Sequence, residues 1–159
     1  MVNFNDEVNK YLRVYSSEFP HPYWIYLSPS HNCNLDCLMC GVKHVEKGVE
    51  LSSEVIKKVI DEIADWPNDK VLMFTGGEPL LRKDIFELID YSVSRGIPTE
   101  MVSNGTLIEE RIAEKIINSG LQNIAISLDG VNSETHDLIG NRKGSYNLAI
   151  KAIKNLVAI

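Results

Sequence analysis

Val71-Leu72-Met73-Phe74-Thr75-Gly76-Gly77-Glu78-Pro79 joins a continuous run of strand-forming residues to a tight glycine turn. The run is too short for a helix and does not alternate, as expected of a parallel strand covered on both faces. After the turn, the spacing predicts a helix over 83–94 with Ile85, Phe86, Ile89 and Val93 inward and Gly96 at its stop. Strand, polar turn and helix form a unit, and that unit recurs on both sides. Upstream, Trp24–Ser28 reads as the first strand and 41–50 as a polar connection. Ser52 or Ser53 then caps a helix with Val55, Ile56, Val59, Ile60, Ile63 and Trp66 at helical spacing, ended by Pro67. Downstream, Thr99–Ser103 is the third strand and Ile108–Asn118 the third helix, stopped by Gly120. Asn123–Leu128 is the fourth strand, 129–144 a longer loop, and Ser145 the cap of a fourth helix running to Ile159. Strands and helices alternating in this way imply an α/β fold with a parallel sheet and right-handed crossovers.

Before this series, residues 5–17 read as an amphipathic helix with Asn5 as N-cap, stopped by Pro20 and Pro22 and forming a docking arm. The expected partition is therefore an arm over 1–21 and a core over 22–159. With 159 residues, 44% hydrophobic and 24% charged, the chain can bury one real core. A net charge of −6 with scattered Lys and Arg argues against a nucleic-acid partner. No apolar stretch approaches the roughly 18 residues of a membrane span, and 1–20 is too charged for a secretory leader. The expectation is a cytoplasmic protein without a membrane partner.

All three cysteines lie within eight residues, Cys33-Asn34-Leu35-Asp36-Cys37-Leu38-Met39-Cys40, in the loop after the first strand. An odd, clustered set favours metal or redox chemistry over disulfides. Four cysteines would complete a cubane iron–sulfur cluster; three leave one iron free. Two blander readings stay open on these residues alone: a zinc site with His31 or His44 as a fourth ligand, and buried thiols that ligate nothing.

Each strand is followed by small or polar groups: the thiols after the first, Gly76–Glu78 after the second, Ser103 and Asn104 after the third, Ser127 and Asp129 at the fourth. In a parallel sheet these loops emerge at one edge, where α/β folds place ligands. Arg142 lies in the same edge loop, before a helix start able to receive an anion. Singly, each group has a dull explanation as turn chemistry or surface charge.

Taken in order, Cys33/Cys37/Cys40, Gly76-Gly77-Glu78-Pro79, Ser103-Asn104-Gly105 and Ser127-Leu128-Asp129-Gly130 followed by Arg142 resemble the radical S-adenosylmethionine (SAM) superfamily over residues 22–159. The look is closest to its SPASM-type peptide and protein maturases. The resemblance implies a parallel (β/α)4 half of a partial (β/α)6 TIM-like barrel, and a [4Fe-4S] cluster on the three thiolates. Gly76, Gly77 and Glu78 would take the methionyl ammonium, Ser127 and Arg142 the carboxylate. Ser103 and Asn104 would lie near the ribose with Asp129 beside them, and Met39 and Leu38 would flank adenine. The implied chemistry is one-electron cleavage of SAM to methionine and a 5′-deoxyadenosyl radical that takes hydrogen from substrate. It also implies a low-potential donor, a flavodoxin or ferredoxin, and a peptide, protein or small-molecule substrate. A cluster- or SAM-binding fragment without turnover is the alternative of another class.

Two departures stand out. Met39 occupies a position usually aromatic in the family, though a thioether also packs on a ring. Four β/α units stand where the family carries six, so the fourth strand is expected to present an open edge, and the chain either to self-associate through it or to be a fragment of a longer polypeptide. Light scattering tests that expectation, and a monodisperse monomer would count against it.

Overall fold

The computed structural model describes residues 21–45, 50–67 and 69–159. The expected helix over 5–17, and with it the arm, falls outside these residues. Four strands, β1 (Trp24–Leu27), β2 (Val71–Phe74), β3 (Thr99–Ser103) and β4 (Asn123–Ile126), form one parallel sheet in the order β1-β2-β3-β4. Registers such as Leu27 with Phe74, Phe74 with Met101 and Met101 with Ile124 bring all four carboxyl ends to one edge. Among the described residues, β1 and β4 are each paired on one side only.

Helices α1 (Ser53–Ala64), α2 (Ile85–Ser94) and α3 (Glu110–Asn118) follow the first three strands. Ser52 caps α1 by accepting from the Val55 N–H, while Val55 itself is exposed. Ile56, Ile60 and Ile63 of α1 meet Leu72, Phe74 and Met101 of the sheet and Ile85, Leu88 and Ile89 of α2 in one core. The inward face of α2 is thus built on Leu88 and Ser92 with Ile85 and Ile89, while Phe86 and Val93 sit at its margin. Among the described residues, coverage on both sheet faces, expected from the unbroken β2 run, is not met: Trp24 and Tyr26 stay exposed and Met73 and Val102 half-buried on the face away from the helices.

The largest difference lies between β4 and the last helix. The stretch 129–144, expected as loop, contains helix α4 (Ser133–Ile139), capped by Asn132 accepting from the Thr135 N–H at 2.9 Å. The final helix, α5 (Ser145–Val157), has Gly144 rather than Ser145 at its N-cap. Ser145 Oγ accepts nothing from α5; it donates to Asp137 and to the Arg142 carbonyl. Asp137, a helix away, does the capping, accepting from the Gly144 and Tyr146 N–H groups at 2.6 and 2.9 Å. The Tyr146 and Gly144 amides hold the Asp137 carboxyl below the usual carboxylate range. A depressed carboxylate contributes stability above its unfolded titration, and that contribution is lost as pH falls through the folded value. The expected result for Asp137→Asn is a lower melting temperature at pH 7, with the gap to wild type narrowing as pH is lowered through that titration. Among the described residues no helix is long and apolar enough to cross a membrane.

Candidate cofactor site

The carboxyl edge of the sheet opens on a cavity of about 200 Å³. Cys33, Cys37, Cys40 and Met39 line it from the loop after β1, Gly76 and Gly77 from β2, Ser103 and Asn104 from β3, and Ser127 and Asp129 from β4. A smaller recess of about 40 Å³ is lined by the same three cysteines with His31, Asp36, Gly76 and Gly77. Ten of the thirteen residues assigned from sequence therefore meet at one place.

The glycine pair does something the sequence reading did not assign to it. Gly76 has φ +114°, and a Cβ there would lie 2.3 Å from Ser28 Oγ and 2.5 Å from the Ser30 carbonyl oxygen. A Cβ on Gly77 would lie 2.1 Å from the Asn32 carbonyl oxygen. The turn is pressed against the segment entering the thiol loop and bonded to it: the Gly77 N–H donates to Ser30 O at 3.0 Å and the Glu78 N–H to Asn32 O at 2.8 Å. Cys33 is the next residue, so this contact sets where the first thiol starts.

A side-chain chain of amides ties the loop to β3 as well. Asn104 Nδ2 donates to Asn34 Oδ1 at 2.8 Å, Asn34 Nδ2 to Thr106 Oγ1 at 2.8 Å, and Thr106 to Asn104 Oδ1. Asn104 Nδ2 also stands 3.9 Å from Cys33 Sγ, which accepts the Leu35 N–H at 3.4 Å. Across the cavity, the Leu38 N–H donates to the Ile139 carbonyl of α4 at 2.9 Å. The loop is held from β2, β3 and α4 at once.

Three assigned residues lie off the cavity. Glu78 is 2% exposed and turned beneath the β3 turn, where Oε1 accepts from Ser103 Oγ at 2.9 Å and from the Leu80 N–H at 3.2 Å, and Oε2 from the Asn104 N–H at 2.8 Å. Three protein donors occupy the carboxylate expected to receive the methionyl ammonium. Arg142 is exposed, and its Nη1 reaches the Asn34 carbonyl at 3.5 Å instead of entering the cavity. Leu38 is likewise exposed and away from the lining, whereas Met39 reaches it.

Burial pushes the Glu78 carboxyl up, against the Asn104, Leu80 and Ser103 donors that pull it down. The folded state thus holds a proton on Glu78 more readily than the unfolded chain, and the charge costs stability at neutral pH. Glu78→Gln is no remedy, because its NH₂ must face one of three donors. The expected cost at pH 7 is about 1–3 kcal/mol. Wild type gains stability as pH falls through the raised value and the variant does not, so the deficit grows; urea titrations at two pH values read it.

Sequence reasoning missed His136, Asn34 and Thr106. His136 lines the cavity from α4 with 2% exposure. The Asn132-Ser133-Glu134-Thr135 start of that helix, an N-cap followed by an acidic first turn, was the signal that could have placed it. Asn34 and Thr106 carried no sequence signal, since turn asparagines and threonines are common.

The donor set fits an iron–sulfur cluster. Three thiols line one cavity, the complement that leaves one iron of a cubane open. One zinc draws its thiolates to about 2.3 Å from a common centre, whereas a cubane spreads them over separate irons. Burial, and after it the Cys33 and Cys40 thiols and the Asp129 carboxyl, push the Cys37 thiol up. Bound iron reverses that balance, because ligating thiols are deprotonated.

Residues 27–159 match the sequence profile of the radical SAM superfamily. The chain is 38% identical over 128 residues to Fe-coproporphyrin III synthase of Methanosarcina barkeri, covering 79% of this chain and 32% of that protein. It is 33% identical over 132 residues to mycofactocin maturase MftC of Mycolicibacterium smegmatis, covering 80% and 32%. The Streptococcus suis SuiB structure bound to its precursor peptide SuiA superposes with TM-score 0.75 at 20% identity, covering 98% of this chain and 36% of that one, which is a likeness of fold. The chain thus spans about a third of the length of the curated relatives it matches. With the thiol loop, the glycine turn and the parallel sheet in this arrangement, the chain belongs to the radical SAM superfamily.

Proposed function

We propose that this chain carries the cofactor-binding part of a radical SAM enzyme that abstracts hydrogen from its substrate, with peptide modification as the reaction class. The superfamily works with a [4Fe-4S] cluster and SAM. The observation that carries the reading is the meeting of three thiols with the Gly76-Gly77 turn and the β3 and β4 polar groups around one cavity. The bound pair supplies reductive cleavage of SAM to methionine and a 5′-deoxyadenosyl radical. Cys33, Cys37 and Cys40 would hold the cluster; Ser103, Ser127 and Asp129 face the same cavity and offer hydroxyl and carboxyl groups to a nucleoside. Asn104, on the cavity wall, keeps the Cys33 loop in register, and Glu78 works from behind, anchoring the turn that presents Ser103. Met39, at the mouth, supplies an apolar, polarisable surface for adenine.

The maturase relative supports a peptide substrate, and the tetrapyrrole synthase relative makes a small molecule the competing choice. A low-potential flavodoxin or ferredoxin as donor belongs to the same proposal. Formation of 5′-deoxyadenosine from SAM with dithionite, measured on anaerobically reconstituted protein, tests it. Product above the cluster-free control supports an enzyme; SAM binding without product leaves a binding fragment.

A further inference from the structure

The side chain of Asn104 is not free to turn. Its backbone N–H donates to Glu78 Oε2 at 2.8 Å, and its Oδ1 accepts from the Thr106 N–H at 2.9 Å and from Thr106 Oγ1 at 2.7 Å. A backbone N–H only donates, so the end of the amide facing Thr106 is the oxygen and the other end is the NH₂. One hydrogen of that NH₂ goes to Asn34 Oδ1 at 2.8 Å. The remaining one has Cys33 Sγ at 3.9 Å, beside the cavity that both residues line. The Leu35 N–H donates to the same sulfur at 3.4 Å. The bonds to Asn34 and Thr106 suffice to hold the loop, and the hydrogen toward sulfur is surplus to that task.

We propose that Asn104 donates from Nδ2 to the Cys33 thiolate when that thiolate ligates iron, and that this bond raises the reduction potential of the cluster. The inference rests on the reading of the three thiols as a [4Fe-4S] site. A neutral thiol is a weak acceptor, whereas a thiolate carries charge, and a charge-assisted bond is shorter and about twice as strong. The electron that the low-potential donor passes to the cubane, 2+ to 1+, adds negative charge to the iron and sulfur atoms. A fixed N–H at one sulfur therefore stabilises the reduced form more than the oxidised one. The contact is partly buried, so water screens that difference less than it would at an open surface.

Three variants separate this bond from a merely structural role. Asn104→Ala removes the donor. Asn104→Ser removes it too, yet its hydroxyl still accepts the Thr106 N–H two residues on and keeps the turn. Thr106→Val breaks the ring of amides but leaves Asn104 Nδ2 in place, and so reports a loosened loop alone. Each chain is reconstituted anaerobically, its iron and sulfide are counted, and the 2+/1+ midpoint potential is read by EPR during a dithionite titration. SAM is left out, so that a contact of Asn104 with the nucleoside plays no part. The expected result is a reduction equilibrium at least about threefold less favourable in N104A and N104S, ~28 mV lower for one electron. T106V stays within about 1.5-fold of wild type. A wild-type potential in N104A and N104S, or an equal fall in T106V, overturns the proposal. If N104A takes up no cluster, N104S is judged on the same terms, and loss of the cluster from both overturns the proposal by making Asn104 a scaffold residue only. A wild-type chain that gives no 1+ cubane signal on reduction overturns the cluster reading itself, whereas a wild-type cluster with unmoved variants leaves that reading standing.

Discussion

Gly77→Ala is expected to unseat the thiol loop and to lower stability by about 2–4 kcal/mol. The added Cβ would stand 2.1 Å from Asn32 O, 2.5 Å from Asn32 C and 2.8 Å from His31 C. All three are backbone atoms, so no rotamer change relieves the contact. Overpacking of this kind costs about 1–3 kcal/mol. Pushing the strands of the turn apart also weakens the Gly77-to-Ser30 and Glu78-to-Asn32 bonds, each worth about 1 kcal/mol. Because Cys33 follows Asn32 directly, the same displacement moves the first thiol, and iron content after reconstitution should fall with stability. Gly41→Ala serves as the control for stability, since its Cβ would meet nothing within 4 Å. Denaturant titration and iron analysis of both variants check the pair; a G77A chain as stable and as iron-loaded as G41A would contradict the account of the turn.

Arg82→Met is the second large effect, at about 3 kcal/mol. Arg82 is 6% exposed and ties together both ends of the thiol loop: Nη1 donates to the Pro29 carbonyl at 3.2 Å and to the Leu51 carbonyl at 2.8 Å. Its Nε and Nη2 pair with Asp84 at 2.7 and 2.9 Å. Burial works against the Asp84 charge, but Arg82 and Ser53 outweigh it and hold the carboxyl below its usual range. Methionine preserves the stem and leaves two carbonyls and a carboxylate behind. Breaking a buried pair by removing one partner costs about 3–5 kcal/mol; the partly exposed Asp84 places this site at the low end. Arg82→Lys, with one ammonium for four contacts, is expected to fall between the two. Thermal and urea unfolding read the stability, and iron retention reads the loop.

The sheet was legible in the sequence because each strand is a short apolar run and each following loop is polar. Thr99–Ser103 stands at the expected bounds, and Trp24 and Asn123 begin their strands as read. Proximity of the thiols to Gly76, Gly77, Ser103, Asn104, Ser127 and Asp129 followed from one rule about where parallel strands end. What could not be read was the direction of side chains at that edge. Glu78 and Arg142 were assigned by chemistry to a ligand, yet Glu78 turns to donors supplied by Ser103 and Asn104, more than twenty residues on, and Arg142 to the surface. The Asp137 cap on α5 was hidden for the same reason: it arrives from another helix, while Ser145 beside it looks like a local cap. Helix α4 differs, since its capping signal, Asn132 followed by Glu134 in the first turn, is present in the sequence.

The most direct test of the central claim is the amount of iron and acid-labile sulfide bound per chain after anaerobic reconstitution, in wild type and in Cys33→Ser, Cys37→Ser and Cys40→Ser. The account predicts about four of each in the wild type, a brown protein, and loss of both with any single thiol. A colourless chain that instead retains one zinc, or iron that persists when a cysteine is removed, would contradict it.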